Sequence, residues 1–361
     1  MQPMTRTLRL RAEHEALGAR LRVQDGIEQV EGYGPRDEEY RHLVEAVGVA
    51  DLSFRGLLRV VGPEAASFLH GMVTNEVNAL RPGQGNLATI VHARGRMLGD
   101  CRVLRLGEEE IWVDLPDAAR ESIFAHLDQH LISEDCELQD LGEDWQGFGA
   151  WGPRALEAVA AALGVEVPPL APYENRRVDA PEGRVLVVGS LLLGIPGLEV
   201  WCEAGRAVSI WRALVDAARR LGGGPVGEAA LEAARVLRGV PRWGRELGED
   251  TIPLEANLRE AISYTKGCYV GQEVIAKATY RGAVRRRLVR LEVPAGARPG
   301  DTLLDEGLVV GELTSVVDPD PEGGEPKALG YVKRDRAASG KELSVSSGGQ
   351  ARIVWAPEDP A

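Results

Sequence analysis

Aromatic side chains make up only 5% of the 361 residues, and phenylalanine occurs four times, so any core must rest on aliphatic packing with a few well-placed rings. The four cysteines, Cys101, Cys136, Cys202 and Cys268, are widely scattered and include no C-x-x-C pair. That excludes a zinc ribbon or a disulfide framework and fits a reducing compartment, so a cytoplasmic protein is expected. No apolar run approaches the roughly 20 residues of a membrane span, and the first residues lack an apolar leader core, so no membrane association is expected. No Walker string or Gly-x-Gly-x-x-Gly opens a helix after a strand, which argues against nucleotide chemistry. Positive charge is also in deficit: 42 Lys and Arg face 55 Asp and Glu, giving a net charge of −13. A general nucleic-acid binder would carry the opposite balance.

With 44% hydrophobic and 27% charged residues, the composition is that of an ordinary globular protein, and its length calls for two or three domains. Residues 1–40 read as a helix and a loop, and 38–49 as an amphipathic helix carrying Tyr40, Leu43, Val44 and Val47. A unit then begins: strand 57–61, Gly62-Pro63 opening a helix, strands 86–92 and 97–106, strand 111–115, a helix through Ile123 and Leu127, and strand 136–141. About ninety residues later the order recurs, with Phe148-Gly-Ala-Trp151, Gly152-Pro153 and a helix, then Leu198-Glu-Val-Trp-Cys202 and a second helix. The recurrence predicts two copies of one α+β unit of split βαβ type. From Leu288 onward the pattern turns to period two in short strands between Gly- and Pro-rich turns, which predicts a small β-barrel. The domains expected are an N-terminal segment 1–50, α+β units 51–145 and 146–225, a linker and signature segment 226–282, and a barrel 283–361.

Chemistry concentrates in Thr265-Lys-Gly-Cys-Tyr-Val-Gly-Gln-Glu273, where a thiol, an amine, a phenol, a carboxamide and a carboxylate crowd one glycine-containing turn ahead of a helix-like run. A neighbouring ammonium and a helix N-terminus both favour thiolate, so Cys268 beside Lys266 is the candidate reactive cysteine, against the alternative of a small buried hydrophobe. His126 and His130 stand at i and i+4 without an acidic partner and read as surface residues, so no metal site is expected. The basic run Arg281-Gly-Ala-Val-Arg-Arg-Arg287 reads either as a contact for an RNA or a polyglutamate or as a solvated strand start.

This octapeptide resembles the signature of the YgfZ family, folate-binding proteins linked to iron–sulfur cluster synthesis and repair and related to the aminomethyltransferase (T-protein) of the glycine cleavage system. Leu58-Arg-Val-Val-Gly-Pro63, Phe68-Leu-His-Gly-Met-Val-Thr-Asn75, His92-Ala-Arg-Gly-Arg-Met-Leu-Gly-Asp100, Pro241-Arg-Trp-Gly244 and Ile252-Pro-Leu-Glu-Ala256 also resemble family blocks and follow family order. The resemblance implies an α+β, T-protein-like (GcvT-like) fold, with duplicated ferredoxin-like subdomains around a central pocket and a C-terminal barrel. It implies a tetrahydrofolate or related folate ligand, with Glu199 as the carboxylate that accepts the amidine edge of the pterin. From the residues alone, Glu199 reads as an outward-facing strand glutamate. Asp100 corresponds to a region that lies against the folate nitrogens, where a carboxylate orients or protonates a leaving amine; as a bare sequence feature it caps the Arg94-Gly95 turn. The T-protein's paired aspartates are reduced here to Gly99-Asp100, which argues against full transferase chemistry. Asn75, Arg94 and Tyr269 are assigned to the folate pocket. Arg238 and Arg242 are assigned to the folate tail, with solvated surface as their alternative.

The function implied is that of a monomeric folate-binding accessory protein that serves iron–sulfur proteins or their assembly machinery and, through them, tRNA modification. Direct RNA binding is not expected. The alternative is a folate-dependent aminomethyltransferase. Whether the chain is an enzyme stays open: the activity implied is one-carbon transfer of the aminomethyl type, or a thiol-based step.

Overall fold

The computed structural model describes residues 6–24, 26–280 and 284–357. The contacts divide the chain into two compact units, Met1–Leu69, Glu76–Leu87 and Cys101–Ala234 forming one, and His70–Asn75, Ala88–Asp100 and Arg235–Ala361 the other.

In the first unit, α1 (Arg11–Ala16) precedes a hairpin of β1 (Arg20–Gln24) and β2 (Ile27–Gly32), then α2 (Arg36–Glu45) and β3 (Gly48–Asp51). The expected loop within 1–40 is therefore this hairpin. Its alternation was masked by charge: the inward face of β2 carries Glu28, only 5% exposed, which accepts hydrogen bonds from the Leu8 backbone N–H (3.1 Å) and from Arg11 (2.7 Å). The helix expected over 38–49 ends at Glu45, because Gly48–Asp51 pairs with a strand about a hundred residues away and sheet bonds replace helical ones.

The repeat follows. β4 (Arg55–Val61), α3 (Ala65–Met72), β5 (Gly85–Val91), β6 (Met97–Arg105), β7 (Glu110–Pro116), α4 (Asp117–His130) and β8 (Glu137–Asp140) give a sheet of order β5-β6-β7-β4-β8. β9 (Trp145–Trp151), α5 (Ala155–Leu163), β10 (Asn175–Ala180), β11 (Gly183–Ser190), β12 (Gly197–Glu203), α6 (Ala207–Arg220) and β13 (Gly224–Pro225) give β10-β11-β12-β9-β3-β13. The two orders match strand for strand, except that β3 is inserted beside β9 in the second sheet. The two Gly-Pro turns match in backbone too. Gly62 has φ +140° and Gly152 φ +119°, and a Cβ on either would lie 2.4 Å from the Asp135 carbonyl oxygen or 2.7 Å from that of Ala46. Only glycine fits both constraints. In the second copy, α5 and α6 cover one sheet face, where Phe148, Trp211 and Val200 are fully buried and the two aromatic rings lie 5.5 Å apart. The small residues Ala155 and Ala158 belong to the same apolar cluster.

After α7 (Glu228–Arg238), the second unit carries α8 (Gln272–Tyr280) and a closed barrel of β14 (Arg286–Glu292), β15 (Thr302–Asp305), β16 (Leu308–Val317), β17 (Lys327–Lys333), β18 (Glu342–Val345) and β19 (Gln350–Trp355). Leu291, Leu303, Leu313, Val332 and Ile353 fill its interior. Alternation in the sequence marks only 308–310 and 316–317 of β16 and does not mark β15. In β16 a register shift between Leu313 and Ser315 breaks the period-two alternation, as a bulge does. Ser315, polar by type, faces inward and donates to the buried Glu246 (2.6 Å), which also accepts from Arg235 (2.8 Å) and Thr314 (2.8 Å). Residues 281–283 of the basic run lie outside the described residues. In its remainder, Arg286 pairs with Glu255 at 3.1 Å and its guanidinium carbon stands 4.3 Å from the Tyr331 ring centroid. Among the described residues no helix is long and apolar enough to cross a membrane.

Candidate functional site

The signature segment wraps the end of α3 within the second unit. Thr74 donates to the Ala261 carbonyl (2.6 Å), Ser263 N–H donates to Thr74 O (3.0 Å), and Val270 N–H donates to Gly71 O (3.1 Å). Lys266 is 8% exposed, and its ammonium donates to the carbonyls of His70 (2.5 Å), Val73 (2.7 Å) and Asn75 (2.8 Å). Three N–H donors thus meet three acceptors where a helix leaves its last carbonyls without intrahelical partners and its dipole favours a cation. Three hydrogen bonds of the Lys266 ammonium go to the backbone of 70–75, which anchors the loop that carries the thiol two residues on. The ammonium also lies 5.0 Å from the ring centroid of Tyr269. Tyr269 is buried, and burial, with a smaller contribution from Tyr264, pushes its phenol up to about 12. Cys268, between these two anchored neighbours, is exposed. The reading of Cys268 as a small buried hydrophobe does not hold.

Gly271 explains the second glycine of the signature. With φ +79°, a Cβ there would stand 2.6 Å from the His92 carbonyl oxygen and 3.4 Å from Gly95 Cα. The signature turn thus rests directly on the hairpin of residues 92–96, so two separate sequence blocks are one packed feature. Arg94 is exposed at that hairpin, its backbone N–H donating to His92 Nδ1 (2.9 Å). The Asn75 carboxamide donates to the Glu260 carbonyl (2.8 Å) and so stitches the loop. Asp100 is half-buried on β6. Arg238 lies 3.6 Å from Glu322, and the Arg242 backbone N–H donates to Glu246 (3.1 Å).

Glu199 belongs to the first unit. It is fully buried, and its two oxygens accept from the Arg102 guanidinium in a bidentate pair (2.5 and 2.7 Å), with a third bond from Ser190 Oγ (2.6 Å). The outward-facing alternative is thereby ruled out. Trp151 Nε1 donates to Ser190 Oγ (3.1 Å). Arg102 also bonds Asp114, which pairs with Arg55 (3.0 Å). The chain Arg55–Asp114–Arg102–Glu199 joins β4, β7 and β6 of one sheet to β12 of the other. Burial disfavours the charge on Arg102, but the charges of Asp114 and then Glu199 outweigh it and hold the guanidinium above its ordinary range. Sequence reading named Glu199 and missed the other three. The available signal was ionisable residues inside otherwise apolar strands, Cys101-Arg-Val-Leu104 and Ile111-Trp-Val-Asp-Leu115, which burial permits only when they are paired.

A mixed fold of two matched α+β sheets and a six-stranded barrel, carrying a buried carboxylate network and a thiol-bearing loop, defines the GcvT-like class. Residues 10–266 match the family described as the GCVT N-terminal domain, and the chain belongs to that family. It is 28% identical over 341 residues to a protein named aminomethyltransferase from Saccharopolyspora erythraea, with 94% of this chain and 93% of the relative covered. It is 30% identical to the putative chloroplastic transferase At1g60990 of Arabidopsis thaliana, with 89% and 73% covered. The crystal structure of the glycine cleavage system aminomethyltransferase T from Bartonella henselae superposes with a TM-score of 0.88 at 24% identity, covering 97% of this chain and 96% of that one.

Proposed function

We propose that the chain binds a tetrahydrofolate and acts on a one-carbon unit carried by it. The observation that supports this most is the near full-length likeness to proteins named aminomethyltransferase. The residues fit the ligand in one specific respect. Glu199 already accepts a side-by-side pair of N–H donors from Arg102, the same pattern that the amidine edge of a pterin offers. A pterin held by Glu199 takes the place of that guanidinium. Within the second unit, Asp100, Asn75, Arg94 and Tyr269 are the candidates for folate contact, and Arg238 and Arg242 for its acidic tail. Lys266 sets the loop that presents Cys268.

Two activities fit this reading. Transfer of an aminomethyl group from a lipoyl carrier to tetrahydrofolate is what the relatives' names support. A YgfZ-type accessory role toward iron–sulfur proteins in the cytoplasm is favoured by Gly99 in place of the first paired aspartate and by the exposed Cys268. Thermal unfolding with and without tetrahydrofolate comes first, because a ligand at a hundred times its Kd adds about 2.7 kcal/mol to native stability. No gain in Tm removes the folate reading. A gain together with ammonia release from an aminomethyl-lipoyl carrier establishes transfer. A gain without turnover, with loss of iron–sulfur enzyme activity in cells on Cys268→Ala, establishes the accessory role.

A further inference from the structure

We propose that the second unit carries an oxyanion site that takes a phosphate group, either free or as the head of a phosphate monoester. The site is a cavity of about 30 Å³ whose lining includes Arg259, Tyr264, Thr279 near the end of α8, Val284, Arg287 on β14 and Arg334 just past β17. Three arginines and no aspartate or glutamate stand among the lining residues, in a chain whose net charge is −13. Neither Cys268 nor any residue assigned to the folate lines it.

The basic run supplies the most buried of these cations. Arg286 and Arg287 are neighbours on β14 and so point to opposite faces of the strand. Arg286 pairs with Glu255 (3.1 Å), whereas Arg287 is 7% exposed and donates from Nη1 to the carbonyl of Pro357, another lining residue (2.8 Å). A solvated strand start therefore does not describe Arg287. Arg334 is half-buried and Arg259 exposed, so the three cations grade from the protein interior to solvent. Cavity size and cation number together select the ligand. One water takes up roughly 10–15 Å³ of such a void, so it holds the oxygens of one small anion and excludes a ring. A carboxylate has two oxygens, whereas a tetrahedral phosphate presents an acceptor to each of three guanidinium groups. Like charges around one small void repel, and a dianion between them removes that cost.

The probes are inorganic phosphate and glycerol 3-phosphate, titrated calorimetrically into the full chain at pH 8, with acetate at equal ionic strength as the two-oxygen counterpart. Heat of binding is read rather than Tm, because phosphate is excluded from protein surfaces and stabilises folded proteins in general. Phosphate is expected to bind about tenfold more tightly than acetate, the size of one further charge-assisted contact. An ester that binds as well as phosphate identifies the head of a larger phosphate compound as the ligand, and an ester that is shut out identifies free phosphate. Arg259→Gln and Arg334→Gln should each weaken phosphate about tenfold. Neither side chain is buried, so both variants should fold. Arg285→Gln, exposed in the same basic run but outside the lining, should leave the titration unchanged, as should saturating tetrahydrofolate. No binding of phosphate, equal affinity for acetate, no effect of Arg259→Gln and Arg334→Gln, an equal effect of Arg285→Gln, or displacement by tetrahydrofolate would each overturn the assignment.

Discussion

Replacing Lys266 by methionine leaves the carbonyls of His70, Val73 and Asn75 without their donor in a site that is 8% exposed. Stranded buried acceptors cost about 1–3 kcal/mol each before relaxation, so a loss of about 3 kcal/mol is expected in urea unfolding. Arginine at this position should rescue less than its charge suggests, because a planar fork does not match three convergent carbonyls. The thiols should react in order of access. Cys268 is exposed, Cys136 is half-buried, and Cys101 and Cys202 are buried, with burial pushing the Cys202 thiol up to about 12. Timed maleimide labelling of native protein should modify Cys268 first and spare Cys101 and Cys202 until unfolding. In the first unit, Arg102→Leu should cost about 3–5 kcal/mol, because it leaves the buried Glu199 without its ion partner, and Glu199→Gln should cost less, because Arg102 keeps Asp114. The double variant should cost less than their sum, and a double-mutant cycle reads the coupling.

At the scale of elements, Gly271 joins the signature turn to the hairpin of residues 92–96, and Gly271→Ala forces a Cβ to within 2.6 Å of a carbonyl oxygen at φ +79°. Strain of this kind costs about 1–3 kcal/mol, and the thiol next to the turn should become more uniformly mobile in labelling as its support loosens. Elements with strong periodicity were legible in sequence. Strands β4 to β7, α4 to α6 and the barrel strands β14 and β17 to β19 follow from alternation, from helical spacing and from the recurring Gly-Pro turns. Elements whose facing residues break type were not: β2 hides behind Glu28, β16 behind Ser315, and β3 owes its state to a distant strand. The candidate site divides the same way. Cys268 stood out by residue type and Glu199 only through the family resemblance, whereas the meaning of Lys266 and Arg102 depends on backbone and carboxylates far away in the chain.

For the whole molecule, the buried Tyr269 and Tyr331 and the half-buried Tyr33 set an alkaline limit. Burial is the main cause in each case, lifting Tyr269 to about 12 and raising Tyr33 and Tyr331 above their ordinary range. An unfolded tyrosine titrates near 10, so below about pH 10 both states keep the proton and this contribution is fully present. As pH rises from about 10 to 12 the unfolded chain releases protons that the folded chain retains, and stability falls. The urea midpoint should hold nearly level from pH 8 to about 9.5 and drop beyond it, with a shallower drop in Tyr269→Phe.

The insertion of β3 between β9 and β13 carries a consequence for the chain's construction. A ribosome releases Gly48–Asp51 well before Trp145–Trp151, so this early ribbon must wait, edge open, while the whole first repeat is made. Cutting the gene between the two repeats near residue 145 would yield a trailing half with a missing slat between β9 and β13. The two copies look alike, yet the later one borrows a plank from upstream and cannot be excised by its own borders.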